Sequence, residues 1–300
     1  MNLKPLRSFV GAALVLSSVA IAPGAHAAYT PKVLRVGFVP SENLQAILKK
    51  TRPVIDALHK ELNPMQVVPF VATDYTGIIE AMRANKLDVA FFAPGAYVLA
   101  EKKANARVIL KASRKGKAYF YSAIITHRDS GIHRLQDLKG KTFAYVDPAS
   151  TSGGIYPKVM FMNAGLNPER DFMRVIYAGG HDAAVLAVLN KKVDAAATFA
   201  NDTQGVDAAW TQFLTKPGEA AQIVPIAFSK PIPSDNIAVR RDLEPGLIAK
   251  IRKVFIGMTA TPQGRQQLKD LYKIDAFVDA TPADFEPVRE AFGKVGINIK

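Results

Sequence analysis

Cysteine is absent from the 300-residue sequence, and histidine is scarce, with five residues. The absence of cysteine excludes disulfides, thiol catalysis and thiolate metal sites. The histidines show no H-E-x-x-H or comparable spacing, so we expect no metal site and no cofactor. The function is therefore sought among proteins that use neither thiol nor metal chemistry.

Long hydrophobic runs are also missing, apart from one at the N terminus. Lys4 and Arg7 precede the run FVGAALVLSSVAIA, and AHA at 25–27 has the small, spaced residues that a signal peptidase accepts. The run is shorter than the roughly 20 residues that a membrane-spanning helix needs. We therefore predict that residues 1–27 are a removed signal peptide rather than a membrane anchor, and that the mature protein is periplasmic.

Acidic residues are fewer than basic ones, 26 against 39, which leaves a formal net charge of +13. The basic residues are scattered, without a polybasic run or an aromatic-interleaved motif, so we expect no nucleic-acid partner. Two uses of the charge stay open. It can steer small anions toward a cleft, or it can serve general solubility.

Strand-like and helix-like segments alternate along most of the chain. One series begins with VLRVGFV at 33–39, and a second begins with KTFAYV at 141–146. An extended segment at 118–130 lies between the two series, and another at 234–242 follows the second. The end of the chain has a helical pattern. Such alternation indicates sheets covered by helices, so the predicted fold class is α/β.

The two extended segments predict two α/β lobes that are joined by two hinges and hold a ligand between them. We assign residues 28–122 and 236–300 to the first lobe, and residues 123–235 to the second.

Three hydroxyl residues, Ser150, Thr151 and Ser152, come shortly after the strand-like segment KTFAYV and directly precede Gly153 and Gly154. Ser150 stands where a helix N-cap belongs, and the first N–H groups of a helix lack partners and carry partial positive charge. Desolvating an anion costs several kcal/mol. One hydrogen bond to a charged group returns roughly 1.5 to 3 kcal/mol, so several donors are needed together. The cluster supplies that number and predicts an oxyanion site, with glycines that let a ligand approach the backbone.

Ordinary helix capping remains an alternative explanation of this cluster, because serine caps followed by glycine are common. The Gly-Lys pair of a nucleotide-binding P-loop is absent, which argues against a bound nucleotide phosphate.

Several blocks of sequence resemble one family. TDYTGIIEAMRANKLDVAFFAPGAYV, DPASTSGGIYP, YAGGHDAAVLAVLNKKVDAAA and PIPSDNIAVRRDL occur in the order seen in the phosphonate-binding proteins of bacterial ABC transporters. The resemblance extends from about residue 34 to residue 243. It implies a type II periplasmic binding fold, with two lobes that close on the ligand.

The resemblance also implies roles for individual residues. The hydroxyls and amides of Ser150, Thr151 and Ser152 would hold the oxyanion, which Tyr75 and His181 would also reach.

Three further positions follow from the same resemblance, and two of them depart from the family pattern. In family members that bind aminoalkyl phosphonates, a glutamate and an aspartate hold the amine, and the aspartate corresponds to Asp235. The glutamate position is Asn201 here, which weakens the case for an amine, although Asp202 is adjacent. A family tyrosine in the hinge strand aligns with Phe120, which is flanked by two tyrosines.

We therefore predict a binding protein that captures a small phosphorus oxyanion and delivers it, as a monomer, to an ABC permease. A type II protein for another oxyanion, such as a sulfonate or phosphate, is the first alternative. A hydrolase that uses Ser152, His181 and Asp235 is the second. No G-x-S-x-G motif surrounds the serine, so we predict that the protein is not an enzyme.

Overall fold

The computed structural model describes residues 28–299, so the predicted signal peptide lies outside the described residues. The strands of this part of the chain are β1 (Val33–Phe38), β2 (Gln66–Val71), β3 (Val89–Phe92), β4 (Ala106–Ser113), β5 (Tyr119–His127), β6 (Thr142–Tyr145), β7 (Arg174–Tyr177), β8 (Ala195–Ala200), β9 (Ile223–Phe228), β10 (Ile232–Pro233), β11 (Asn236–Arg240) and β12 (Ala276–Asp279). The α-helices are α1 (Leu44–Leu62), α2 (Tyr75–Arg83), α3 (Pro94–Ala104), α4 (Tyr156–Asn163), α5 (Pro168–Asp171), α6 (His181–Leu189), α7 (Ala209–Phe213), α8 (Pro245–Ala260), α9 (Pro262–Tyr272) and α10 (Glu286–Lys294).

The first sheet has the strand order β12-β4-β11-β3-β1-β2. Strand β1 runs parallel to β2 and β3, whereas β11 runs antiparallel to β3 and β4. All four residues of β3 are buried, because helices cover both faces of the sheet. One apolar cluster contains residues of α1, α8 and α9, and a second contains residues of α2, α3 and α10.

The second sheet has the order β10-β5-β8-β6-β7, with β9 also paired to β5. Strand β6 is parallel to β7 and β8, and β5 is antiparallel to its neighbours. Aromatic packing joins α4 to this sheet, where the rings of Phe143 and Phe161 meet edge to face with centroids 5.1 Å apart. Helix α6 lies on the other apolar cluster of the lobe through Ala184, Val185 and Val188.

The two sheets, each with its helices, form two α/β lobes, so the predicted fold class is confirmed. The chain passes from the first sheet to the second at residues 114–118 and returns at residues 234–235. The lobe limits at residues 122 and 235 stay a prediction. Strand β5, which contains residue 122, belongs to the second sheet along its whole length.

Helix α1 is continuous through Pro53, which lies in its middle. A proline inside a helical pattern favours a kink or a break, and this helix is not divided. Its buried side chains repeat at Ile47, Val54 and Leu58, so burial of one face outweighs the hydrogen bond that proline removes. Among residues 28–299, none of the helices combines the length and the apolar character required to cross a membrane.

Candidate functional site

A cavity of about 130 Å³ lies between the two lobes. Drug-sized ligands occupy pockets of roughly 300 to 1,000 Å³, so this cavity suits a much smaller ligand. All eight residues that the sequence singles out line it: Tyr75, Phe120, Ser150, Thr151, Ser152, His181, Asn201 and Asp235. The structure therefore brings together residues that are up to 160 positions apart in the chain, and their contact with a ligand stays a prediction.

The hydroxyl cluster stands at the start of a helix that points into the cavity. Ser150 is the N-cap, and its Oγ accepts a hydrogen bond from the Gly153 N–H at 3.1 Å. Residues 151–155 form a π-helical turn that continues directly into α4. Ser150, Thr151 and Ser152 are all at most 3% exposed. A buried helix start of this kind presents N–H groups and partial positive charge to an anion.

The two glycines after the cluster are needed for packing within the second lobe. A Cβ on Gly153 would lie 2.4 Å from Val146 Cβ, and a Cβ on Gly154 would lie 2.2 Å from the Asp147 carbonyl oxygen. The glycines therefore let the helix start pack against the residues that follow β6. The expectation that they also admit a ligand to the backbone stays a prediction.

Thr151 reaches across the cleft to the other lobe. Its Oγ1 accepts a hydrogen bond of 2.7 Å from the Gly95 N–H, which belongs to the first turn of α3. Since the oxygen accepts this bond, the hydroxyl hydrogen is left to donate elsewhere.

Ser152 is held through its backbone, because the Ser122 hydroxyl donates to its carbonyl oxygen at 2.6 Å. Within residues 28–299, the side chain of Ser152 forms no hydrogen bond. Its hydroxyl is therefore available to a ligand.

Tyr75 begins α2, where Asp74 is the N-cap and accepts from the Gly77 N–H at 2.7 Å. Burial raises the pKa of the Tyr75 phenol well above its ordinary value, and the carboxylates of Asp147 and Asp235 raise it further. A hydrogen bond with Ser150 acts in the opposite direction. The phenol therefore stays protonated and can donate to an oxyanion.

His181 begins α6, and its backbone N–H donates to the Ser41 carbonyl of the other lobe at 2.9 Å. Its Nδ1 lies 3.0 Å from Thr198 Oγ1, and burial lowers the pKa of the imidazole to about 3. The ring is therefore neutral near pH 7. When Nδ1 accepts the Thr198 hydrogen, the imidazole proton is on Nε2 and can be donated to a ligand.

Asp235 forms an ion pair with Arg114, with 2.6 Å between Nη2 and Oδ2. The Ser-His-Asp hydrolase hypothesis needs a carboxylate on the histidine Nδ1. Here Asp235 binds Arg114, and the His181 Nδ1 contacts Thr198 instead. The arrangement is therefore not that of a catalytic triad.

Asn201 donates from Nδ2 to Asp207 Oδ1 at 2.9 Å. The neighbouring Asp202 accepts from the backbone N–H groups of Val206 and Asp207, and it does not line the cavity. Asp202 is therefore used to shape its own loop and does not replace the family glutamate in the site.

Phe120 lines the cavity, whereas the flanking tyrosines do not. Alternate residues of a strand point to opposite sides, so Tyr119 and Tyr121 share the other face, where their ring centroids are 5.9 Å apart. The wall at this position is apolar.

Sequence reasoning missed several residues of the cavity, including Ser41, Glu42, Lys50, Arg114 and Phe199. Ser41 had a usable signal, since it follows β1 and precedes α1 just as Ser150 follows β6 and precedes a helix. Arg114 had none, because its partner Asp235 is 121 positions away. Across the described chain, no cluster of three or more histidine or acidic side chains is arranged to hold a metal ion.

Two α/β lobes with a small cavity between them, lined by hydroxyl, charged and aromatic side chains, are the architecture of a type II periplasmic binding protein. Residues 36–285 match the sequence model of the family described as "ABC transporter, phosphonate, periplasmic substrate-binding protein", and the chain belongs to this family. The resemblance seen in the sequence blocks is thereby confirmed.

The relatives agree with this membership. The phosphonates-binding periplasmic protein of Escherichia coli K12 is 32% identical over 277 residues, which cover 90% of this chain and 79% of the relative. The phosphate-import protein PhnD of Mycolicibacterium smegmatis is 32% identical over 236 residues, 75% of this chain and 71% of the relative. A solved binding protein of an ABC phosphonate transporter from Pseudomonas aeruginosa has a TM-score of 0.79 and 28% identity, with 89% of each chain covered.

Proposed function

We propose that this protein captures a small phosphorus oxyanion, a phosphonate or a close relative, outside the cytoplasm and delivers it to an ABC permease. Family membership supports the transport role. The observation that carries the choice of ligand is the hydroxyl cluster at the buried helix start, which faces a cavity of about 130 Å³.

Binding in this proposal is reversible capture. The helix start at Ser150 and the hydroxyls of Thr151 and Ser152 bind the oxygens from the second lobe. The protonated phenol of Tyr75 completes the shell from the first lobe. A ligand stabilises the closed arrangement only through contacts with both lobes, and this set of groups supplies them.

Neutral donors suit this ligand class. Of the cavity cations, Lys50 and Arg114 are paired with Glu42 and Asp235, and Lys273 is exposed, where water screens its charge. The oxyanion charge is therefore met mainly by hydrogen bonds and by the helix start. A hydrogen bond to a charged group contributes about 1.5 to 3 kcal/mol, and several together offset the cost of desolvating the anion.

Export, a monomeric state and the lack of catalysis belong to the same proposal. Export is supported by the residues before position 28, which have the composition of a signal peptide, and by membership of a periplasmic family. Light scattering measures the mass in solution, and N-terminal sequencing of the exported protein locates the cleavage site, which we expect after Ala27.

The proposal is tested by thermal shift of the purified protein with methylphosphonate, phosphite, phosphate, sulfate and an alkanesulfonate. A ligand at a hundred times its Kd stabilises the folded state by about 2.7 kcal/mol, which raises the Tm by several degrees. We expect methylphosphonate or phosphite to give the largest shift. A larger shift with phosphate, sulfate or the sulfonate would instead establish the alternative, a binding protein for another oxyanion.

A further inference from the structure

The charged side chains that line the cavity balance one another. The acidic residues are Glu42, Asp235 and Asp270, and the basic residues are Lys50, Arg114 and Lys273. Glu42 binds Lys50 through both carboxylate oxygens, each 2.7 Å from Nζ. This carboxylate is therefore already neutralised.

Asp235 is neutralised by a guanidinium that is fixed in place. Arg114 is 8% exposed, and its Nε donates to the Tyr272 carbonyl oxygen at 3.0 Å while Nη2 holds Asp235 at 2.6 Å. Arg114 binds Oδ2, so a ligand ammonium placed at Oδ1 would meet a carboxylate whose charge is already balanced, and the neighbouring guanidinium would repel it. Taking both oxygens from Arg114 would leave a buried cation without its partner, which is costly.

The part of the cavity wall that contains Asn201 offers no free carboxylate either. Asn201 is neutral, and its amide donates to Asp207. That carboxylate also accepts from Gln212 Nε2 and binds Lys115 Nζ, both at 3.0 Å. The nearest acid behind Asn201 is therefore engaged as well.

Two further carboxylates lie close to the site. Asp270 is exposed at the rim, where water screens its charge, and it accepts from Gln266 at 2.8 Å. Asp147 lies behind the helix start and accepts from the backbone N–H groups of Ala149 and Tyr75. Burial raises the pKa of this carboxyl, so it is poorly suited to holding a cation. Much of the remaining cavity wall is aromatic, with Phe91, Phe92, Phe120, Phe199 and Phe213.

We infer that the cavity selects phosphorus oxyanions whose substituent is uncharged or absent, and that Arg114 sets this preference by occupying Asp235. The inference rests on the proposed function and narrows its ligand class. Arg114 is a positioning residue in this account, because it acts through the carboxylate that it holds.

The test compares propylphosphonate with 2-aminoethylphosphonate by isothermal titration calorimetry. The two ligands have nearly the same shape, and a methyl group in one replaces the ammonium in the other. Since the ammonium loses its hydrogen bonds to water and gains no free carboxylate, we expect the wild-type protein to prefer propylphosphonate by about tenfold or more.

The variant Arg114→Met frees Asp235 and keeps an unbranched apolar stem. We expect it to shift the ratio of the two affinities toward 2-aminoethylphosphonate by about tenfold, since a half-buried carboxylate without a competing cation now pairs with the ammonium. A general loss of folding would weaken the binding of both ligands alike and leave the ratio of their affinities unchanged. Arg52→Met, at an exposed position of α1, is the matched control, and its ratio should equal that of the wild type.

The outcomes separate the inference from the proposed function. If the wild-type protein binds 2-aminoethylphosphonate as tightly as propylphosphonate, the inference is wrong and the proposed function stands. An unchanged ratio of the two affinities in folded Arg114→Met would show that Arg114 does not set the preference. If neither these two ligands nor methylphosphonate and phosphite bind, the proposed function itself fails, and the inference fails with it.

Discussion

The Gly95 N–H donates to Thr151 Oγ1 across the cleft, at 2.7 Å. Helix α3 begins after Ala93, whose side chain cannot cap it, so the helix obtains its cap from the opposite lobe. The same hydroxyl faces the cavity and keeps its hydrogen for a ligand. In the proposed function, Thr151 therefore links two events, the closure of the lobes and the binding of the oxyanion.

Gly95 lies at the contact between the lobes, and Gly95→Ala should impede closure. The added Cβ would lie 2.5 Å from Ile155 Cδ1 and 3.2 Å from the Ala149 carbonyl oxygen. Overpacking of this kind costs about 1 to 3 kcal/mol, so we expect affinity for methylphosphonate to fall by roughly tenfold to a hundredfold. Calorimetry gives the affinity. The control Gly257→Ala has open space around its Cβ and should leave binding unchanged.

Ser152 has a hydroxyl that no group of the described protein uses, so Ser152→Ala should affect binding and not stability. Loss of one hydrogen bond to a charged ligand costs about 1.5 to 3 kcal/mol, which weakens binding by roughly ten- to a hundredfold. The Tm of the ligand-free protein should stay within about a degree of the wild type. Thr203→Ala removes an exposed hydroxyl elsewhere and serves as the control. Unchanged affinity in Ser152→Ala would exclude this hydroxyl from the site.

Gly154 packs against the residues that follow β6, and Gly154→Ala should destabilise the fold itself. Its Cβ would meet the Asp147 carbonyl oxygen at 2.2 Å, and the backbone there has little freedom to move. We expect a loss of about 1 to 3 kcal/mol in the free energy of unfolding, measured with urea. Gly293→Ala, in α10 with open space around it, should be neutral or slightly stabilising. Equal stability of the two variants would contradict this packing role.

His181 should make the protein less stable in acid. Burial lowers its pKa from 6.5 to about 3, so the unfolded chain takes up a proton below pH 6.5 while the folded protein does not. Stability is therefore lost as the pH falls from about 6.5 toward 3, at up to roughly 1.4 kcal/mol per pH unit. Between pH 7 and pH 5 this amounts to about 2 kcal/mol.

The variant His181→Gln isolates this contribution. Urea unfolding at pH 7 and pH 5 should show a smaller decrease in the variant than in the wild type. Asp147 cannot produce the effect. Burial raises the pKa of its carboxyl, so the folded protein takes up this proton more readily than the unfolded chain, and this group stabilises the folded state as the pH falls. The same decrease in both proteins would show that His181 is not the group responsible.

Much of the architecture could be predicted from the sequence, because it follows from local patterns. The period of buried residues marks α1, and the alternation of strands and helices predicts two sheets covered by helices. The cluster at residues 150–152 also has a local signature, since hydroxyl residues between a strand and a helix are read within one short segment.

Pairings between distant residues could not be predicted in this way. The ion pair of Arg114 with Asp235 and the bond of Gly95 with Thr151 join residues 121 and 56 positions apart. Likewise, the need for glycine at position 154 comes from its packing against the Asp147 carbonyl oxygen, which the sequence pattern does not show.

The sequence by itself determined the α/β class, the helix starts and the hydroxyl groups that we propose to hold an oxyanion, because capping and hydrophobic periodicity act over a few residues. Only the tertiary structure decided which carboxylates are paired with cations and which positions have no room for a side chain larger than glycine. Those properties depend on charges and atoms that meet when the two lobes pack together.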